Sequence, residues 1–155
     1  MKYQLLSFLF FLPLIVVAQS PINKTKQQVI QQWKKNTDVA ANCKTAVSET
    51  GDTLRARLGC AGATTYTQYN YIFDEKGKCK AMQVSSNSDS AAKAKLNAWL
   101  SNQSYHWQQV NENQYVSDFS SRLMIELPPV TSNFSFTVLR MEWTRELYDL
   151  LMKKE

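Results

Sequence analysis

His106 is the only histidine in this 155-residue chain, and it is the first residue to consider for catalysis. A histidine beside a free thiol can act as its general base and turn it into a nucleophile. The fold would have to bring such a pair together, so its spacing in the sequence carries no information. No third residue that would orient the imidazole is evident. We therefore assign no catalytic residue, and keep a hydrolase or thiol enzyme that uses His106 as an alternative.

The three cysteines, Cys43, Cys60 and Cys79, favour one disulfide and one free thiol if the chain is exported. All three pairings are open from the sequence. Cys43–Cys60 is favoured if Cys43 begins a strand that faces Leu58, because a disulfide needs Cα atoms within about 7 Å. The spacings do not resemble a zinc site, and there is no Cys-x-x-Cys redox motif. We expect no metal and no cofactor.

Tyrosine and tryptophan side chains are the most plausible binding residues, because they combine apolar area with a polar tip. Several lie in predicted strands, and those on an outer face could stack on a sugar or a partner protein. We take Tyr69 and Tyr71 as core residues. Tyr66, Trp107 and Tyr115 are the candidate binding residues.

Acidic residues form no recognisable catalytic pair, and four glycines leave no glycine-rich phosphate loop. The formal charge is +5, and its basic residues are scattered. This pattern does not favour a nucleic-acid partner.

Residues 1–18 have the pattern of a cleavable export signal. Lys2 supplies a positive start, residues 5–17 are almost wholly apolar, and Ala18 is the small residue that a signal peptidase prefers. The apolar run is short for a membrane span, which needs about 20 residues. We expect a single α+β domain over residues 19–155, in the periplasm or outside the cell, with no stable membrane span after signal removal.

The clearest element is a hairpin of residues 65–73 and 78–85, joined by a turn at residues 74–77. If Phe73 faces Lys78, then Tyr71 faces Lys80 and Tyr69 faces Met82. Because strand side chains alternate, one face of this hairpin should lie on the core. That face holds Tyr69, Tyr71, Phe73, Met82 and Val84, and the outer face holds Tyr66, Gln68, Asn70, Ile72, Cys79, Ala81, Gln83 and Ser85.

Further strands are predicted at residues 44–48 and 53–58, and two further hairpins at residues 105–119 and 122–141. In the last hairpin, Leu127 is paired with Phe134, and Ile125 with Phe136. Helices are expected over residues 24–36, 90–101 and 143–154. Asn23 should cap the first helix, and Leu147, Leu150 and Leu151 of the last should point inward.

The predicted fold is therefore α+β: an antiparallel sheet built from three hairpins, with helices mainly on one face, in the order helix, strands, helix, strands, helix. Strong fold signals and weak catalytic ones favour a non-catalytic exported domain. Its partner would be a protein or a cell-envelope polysaccharide. A carrier of a small apolar ligand is a further alternative, and it would need an enclosed cavity between helices and sheet.

Overall fold

The computed structural model describes residues 20–37, 43–60, 62–129 and 134–153. The chain has an α+β fold with an antiparallel sheet, as predicted. The proposed signal peptide, residues 1–18, lies outside the described residues. None of the described helices is long and apolar enough to cross a membrane. The elements are α1 (Lys26–Thr37), β1 (Cys43–Thr50), β2 (Thr53–Cys60), β3 (Tyr66–Phe73), β4 (Cys79–Ser86), α2 (Asp89–Leu100), β5 (Gln108–Asn111), β6 (Gln114–Val116), β7 (Leu123–Glu126), β8 (Ser135–Arg140) and α3 (Arg145–Met152).

The eight strands form one sheet in the spatial order β1-β2-β3-β4-β8-β7-β6-β5. Each half is a four-stranded meander preceded by a helix, and the halves meet where β4 pairs with β8. The sequence prediction counted three hairpins. The structure contains a fourth, β1–β2, whose turn is closed by the pairing of Thr50 with Thr53. Gly51 has a φ of +56° in this turn, a conformation that favours glycine.

The hairpin β3–β4 has a different register from the predicted one. Tyr71 faces Met82 rather than Lys80, and Tyr69 faces Val84 rather than Met82. A shift of two residues leaves every side chain on its predicted face. A register irregularity between Ile72 and Phe73 then places Cys79 opposite Phe73, in the core. The prediction that Cys79 lies on the outer face is therefore wrong.

The hairpin β7–β8 shows the same kind of two-residue difference. Ile125 pairs with Val138, where Phe136 was expected, and Leu123 pairs with Arg140. The apolar face is preserved, since Leu123, Ile125, Phe136 and Val138 are all buried. In the hairpin before it, the strands are shorter than predicted. Residues 103–105 form a 3₁₀ turn, and β5 begins only at Gln108.

The main core lies between one face of the sheet and the helices α1 and α2. Val29 of α1 and Leu96 of α2 are buried there against Leu54, Phe136 and other strand residues. The first helix is capped by Thr25 rather than Asn23. Thr25 Oγ1 accepts from the backbone N–H of Gln28, and Gln28 Oε1 accepts from that of Thr25, a capping box.

The last helix, α3, packs on the opposite face of the sheet, over the half formed by β5–β8. Tyr148 and Trp143 lie there against Val116 and Met124. Met124 alternates with Leu123 and Ile125, which face the main core. The inward leucines predicted for α3 are wrong: Leu147, Leu150 and Leu151 are exposed. Tyr148 of the helix and Trp143 just before it fill the space against the sheet instead.

Candidate functional site

A row of polar side chains runs across the sheet face that carries α3. It contains one residue from each strand, in directly paired positions, and we call it the polar row. Its members are Ser48, Arg55, Asn70, Gln83, Thr137, Glu126, Gln114 and Asn111. Helix α3 covers the neighbouring apolar residues Val116, Met124 and Leu139 rather than this row. The polar row is therefore left facing outward, beside the helix.

Side-chain hydrogen bonds join members of the polar row across the strands. Arg55 Nε donates to Asn70 Oδ1 over 3.2 Å, and Asn70 Nδ2 donates to Gln83 Oε1 over 3.2 Å. On the other half, Gln114 Nε2 donates to Glu126 Oε1 over 3.1 Å. Such contacts fix the rotamers of side chains that would otherwise be mobile, so the row presents its donors and acceptors in a set order.

Arg57 and Tyr66 lie next to the polar row on the same face. The guanidinium carbon of Arg57 is 3.6 Å from the centre of the Tyr66 ring, a close cation–π stack. Gly59 pairs with Tyr66 across β2 and β3, so no side chain competes for the space beside the ring. Stacking holds the guanidinium plane while its N–H groups stay at the edge.

The charge on this face is one-sided over the first half of the sheet. The positions of β1–β4 that face this way include Lys44, Arg55 and Arg57, and none is an aspartate or glutamate. Within the described chain, no carboxylate lies within ion-pair distance of these cations. Glu126 is the acidic member of the polar row, and it lies on β7, four strands away from Arg55 on β2.

The three candidate binding aromatics do not come together. Tyr66 lies on the outward face, under Arg57. Tyr115 and Trp107 pack against the main core on the other face, and Trp107 Nε1 donates to the carbonyl of Trp99 over 2.8 Å. All three are half-buried, and a role in binding stays a prediction for each.

His106 lies in an exposed connection between Tyr105 and Trp107. Its φ is +47°, and its side chain is 72% exposed because both aromatic neighbours turn towards the core. Its Nδ1 is 3.5 Å from Asp118 Oδ2. Partial burial raises the pKa of Asp118, but hydrogen bonds from Ser121, Ser120 and His106 outweigh it, so the net shift is downward. This contact is an ordinary surface ion pair when His106 is protonated.

The cysteines are arranged as the sequence favoured. Cys43 and Cys60 form a disulfide between paired positions of β1 and β2, and Cys79 is the free thiol. Burial raises the pKa of Cys79 to about 12, which keeps it protonated at neutral pH. In the described segments, no group of three or more His, Cys, Asp or Glu side chains could hold a metal ion.

An open depression of about 510 Å³ lies at the edge of the sheet, between β5 and the end of α3. It is lined by residues 108–111 and 151–153, which are mostly polar. Neither His106 nor the cysteines line it.

No protein-family model matches this chain, and no curated protein or solved structure matches it. The polar row and the side chains beside it are therefore the features of the molecule that bear on its function.

Sequence reasoning missed the polar row as a unit. It placed Gln68, Asn70 and Gln83 on the outer face of one hairpin, and predicted a separate strand at residues 53–58, which contains Arg55 and Arg57. Only the pairings of β2 with β3 and of β4 with β8 bring these residues into register. The alternation of polar and apolar side chains within each strand can be read from the sequence. The order of the strands across the two halves of the sheet cannot.

Proposed function

We propose that this protein is an exported, non-catalytic domain that binds a cell-envelope polysaccharide along the polar row. The observation that carries the proposal is the alignment of eight polar side chains, one from each strand, on the sheet face where α3 packs over Val116, Met124 and Leu139 beside them.

A polysaccharide suits this surface because its hydroxyl groups both donate and accept hydrogen bonds. Amide side chains such as Asn70 and Gln83 do the same. Adjacent strands are about 4.8 Å apart, so the row repeats its polar groups at that spacing along the direction an extended polymer would take. Each hydrogen bond contributes only about 0.5–1.5 kcal/mol net, so useful affinity needs several contacts at once.

A protein partner is less well supported by the same surface. The centre of a protein–protein interface usually carries buried aromatic or aliphatic anchors that fill pockets on the partner. The polar row contains no such side chain, and the ring of Tyr66 beside it is already stacked under Arg57.

Export is supported by two independent features. Residues 1–18 have the composition of a signal peptide. The Cys43–Cys60 disulfide is the kind of bond that persists in an oxidising compartment such as the periplasm or the extracellular space.

Affinity electrophoresis of the purified protein in gels containing dextran, polygalacturonate or solubilised peptidoglycan tests the proposal. At least one polymer should retard the protein, and the double variant Asn70→Ala/Gln83→Ala should lose most of that retardation. The matched control Gln31→Ala/Asn97→Ala removes the same two side-chain types from exposed positions of α1 and α2. Equal retardation of both double variants, or none with any polymer, would reject the proposal.

The alternatives proposed from the sequence gain no contact that favours them. His106 is exposed and faces Asp118, whereas the free thiol of Cys79 is buried in the core. A hydrolase or thiol enzyme and an apolar-ligand carrier stay untested predictions.

A further inference from the structure

We infer that the polysaccharide is acidic, and that Arg55 and Arg57 bind the carboxylates of its uronic acid units. This inference rests on the proposed function and adds the chemical class of the ligand. Three observations support it: the contacts that hold the two arginines, the charges of the neighbouring residues, and the position of the arginines near one end of the polar row.

Arg55 and Arg57 are two residues apart on β2, so both project from the same face. Two residues of a strand span roughly 6.7 Å. Both side chains are exposed. Two guanidinium groups at this spacing can bind two carboxylates, or both oxygens of one carboxylate from two sides.

Each arginine is held by a contact that leaves donors unused. Arg55 uses its Nε towards Asn70 Oδ1, which leaves its two terminal nitrogens pointing away from that bond. The face of the Arg57 guanidinium stacks on the Tyr66 ring, and the N–H groups at its edge can still donate hydrogen bonds to a ligand. An arginine fixed in this way loses less side-chain entropy on binding a carboxylate than a mobile one would.

The surrounding charges favour an acidic ligand over a neutral or basic one at the β1–β2 side of the row. Lys44 adds a third positive charge to the outward face of β1 and β2, and β1–β4 place no carboxylate there. Glu126 is half-buried and lies on β7, four strands away from Arg55, and among the described residues it forms no ion pair with any of the three. Unpaired arginines on a sheet face attract anions, and salt weakens that attraction.

The remaining members of the row suit the uncharged parts of the same polymer. Asn70, Gln83 and Thr137 continue from Arg55 across β3, β4 and β8 with neutral donors and acceptors. An acidic polysaccharide offers this alternation of carboxylates and hydroxyls. An acidic peptide offers carboxylates without hydroxyls, so it would use the arginines but not the neutral residues.

The test compares three probes: polygalacturonate, its fully methyl-esterified form and poly-L-glutamate. The esterified polymer keeps the sugar chain and removes the charge, and poly-L-glutamate keeps the charge and removes the sugar. We expect binding to polygalacturonate to be at least about tenfold tighter than to the esterified polymer, since a charge-assisted bidentate contact is stronger than a neutral one. We expect it to be tighter than to poly-L-glutamate by a similar factor, about tenfold, because that polymer has no hydroxyl groups for the neutral side chains of the row. Binding should weaken as salt is raised.

The variants Arg55→Gln and Arg57→Gln should each weaken polygalacturonate binding by about tenfold. Arg57→Lys keeps the positive charge but loses the planar, stacked guanidinium group. It should therefore weaken polygalacturonate binding less than Arg57→Gln does. The control Lys95→Gln removes one exposed positive charge from α2 and should change binding by less than about twofold. Unfolding midpoints of all variants check that they are folded.

The outcomes separate this inference from the function on which it rests. Equal binding to the charged and esterified polymers, lost in Asn70→Ala/Gln83→Ala, would overturn the acidic ligand and leave polysaccharide binding intact. Equal binding to poly-L-glutamate and polygalacturonate would overturn it in favour of an acidic protein partner. Arginine variants that bind polygalacturonate like the native protein would also overturn it.

Discussion

Arg140 at the end of β8 donates from Nη2 to Asp74 Oδ2 across 2.6 Å, and so ties the second half of the sheet to the turn between β3 and β4. Asp74 also organises its own turn. Its Oδ1 accepts from the backbone N–H groups of Lys76 and Lys78. Arg140 Nη1 in turn donates to Asn23 Oδ1, just before α1. One carboxylate thus connects the central turn to the second half of the sheet.

The first prediction concerns the pH dependence of stability. The hydrogen bonds from Lys78 and Arg140 hold the pKa of Asp74 below its usual value. A carboxyl group with a lowered folded-state pKa stabilises the fold above its unfolded-state pKa of about 4, and that contribution is lost as the pH falls through the folded-state value. Asp74→Asn should lower the urea midpoint at pH 7, and the difference from the native protein should shrink at pH 3.

The control for this measurement is Glu75→Gln, which removes the neighbouring, exposed carboxylate from the same turn. It should leave the pH dependence nearly unchanged. A gap between Asp74→Asn and the native protein that is as large at pH 3 as at pH 7 would mean that the charge of Asp74 is not the stabilising feature.

The second prediction concerns the thiols. Burial raises the pKa of Cys79 to about 12, so the thiol is protonated at pH 8, and its side chain is buried. Iodoacetamide should therefore add nothing to the folded protein. In urea without reductant it should add one group, and in urea after reduction three, as counted by intact mass. Two or more adducts before reduction would contradict the Cys43–Cys60 bond.

The third prediction tests the junction between the two halves. Phe136 of β8 is fully buried opposite Val84 of β4, where the two meanders meet. Phe136→Ala should lower the free energy of unfolding by about 3–5 kcal/mol, because the cavity opens in the shared core. Thr137→Ala, on the outward face of the same strand, should cost less than about 1 kcal/mol. Urea unfolding followed by tryptophan fluorescence measures both.

Alternation of side chains was the part of the fold that the sequence could predict. It placed Tyr71, Phe73, Met82 and Val84 on the buried face, and all four are buried. It did not determine register, because a slip of two residues keeps every side chain on the same face. Both predicted hairpin registers differ from the observed ones by that amount.

The sequence could not predict the bulge near Phe73 or the polar row, because the alternation of side chains does not determine how strands pair. A bulge adds one residue to one strand and reverses the alternation after it, which turned Cys79 inward. The polar row depends on seven consecutive strand pairings, and β4–β8 joins strands about 50 residues apart. Local sequence patterns do not indicate which distant strands pair.

The last prediction concerns α3, where hydrophobicity alone pointed to the wrong side of the helix. Tyr148 is buried, packs edge-on against Phe119 and Trp143, and donates from its hydroxyl to the carbonyl of Ser117 over 3.0 Å. Leu150 is 68% exposed. Tyr148→Ala should therefore cost about 3–5 kcal/mol of stability, and Leu150→Ala less than about 0.5 kcal/mol.

Tyr148→Phe separates the two contributions of this side chain, because it keeps the ring and removes the hydrogen bond to Ser117. It should cost about 1 kcal/mol, since the carbonyl of Ser117 loses a buried partner. The same urea titrations measure all three variants. If Leu150→Ala proved the more damaging change, α3 would have to present its leucines to the sheet, as the sequence pattern first indicated, with Tyr148 turned away from Ser117.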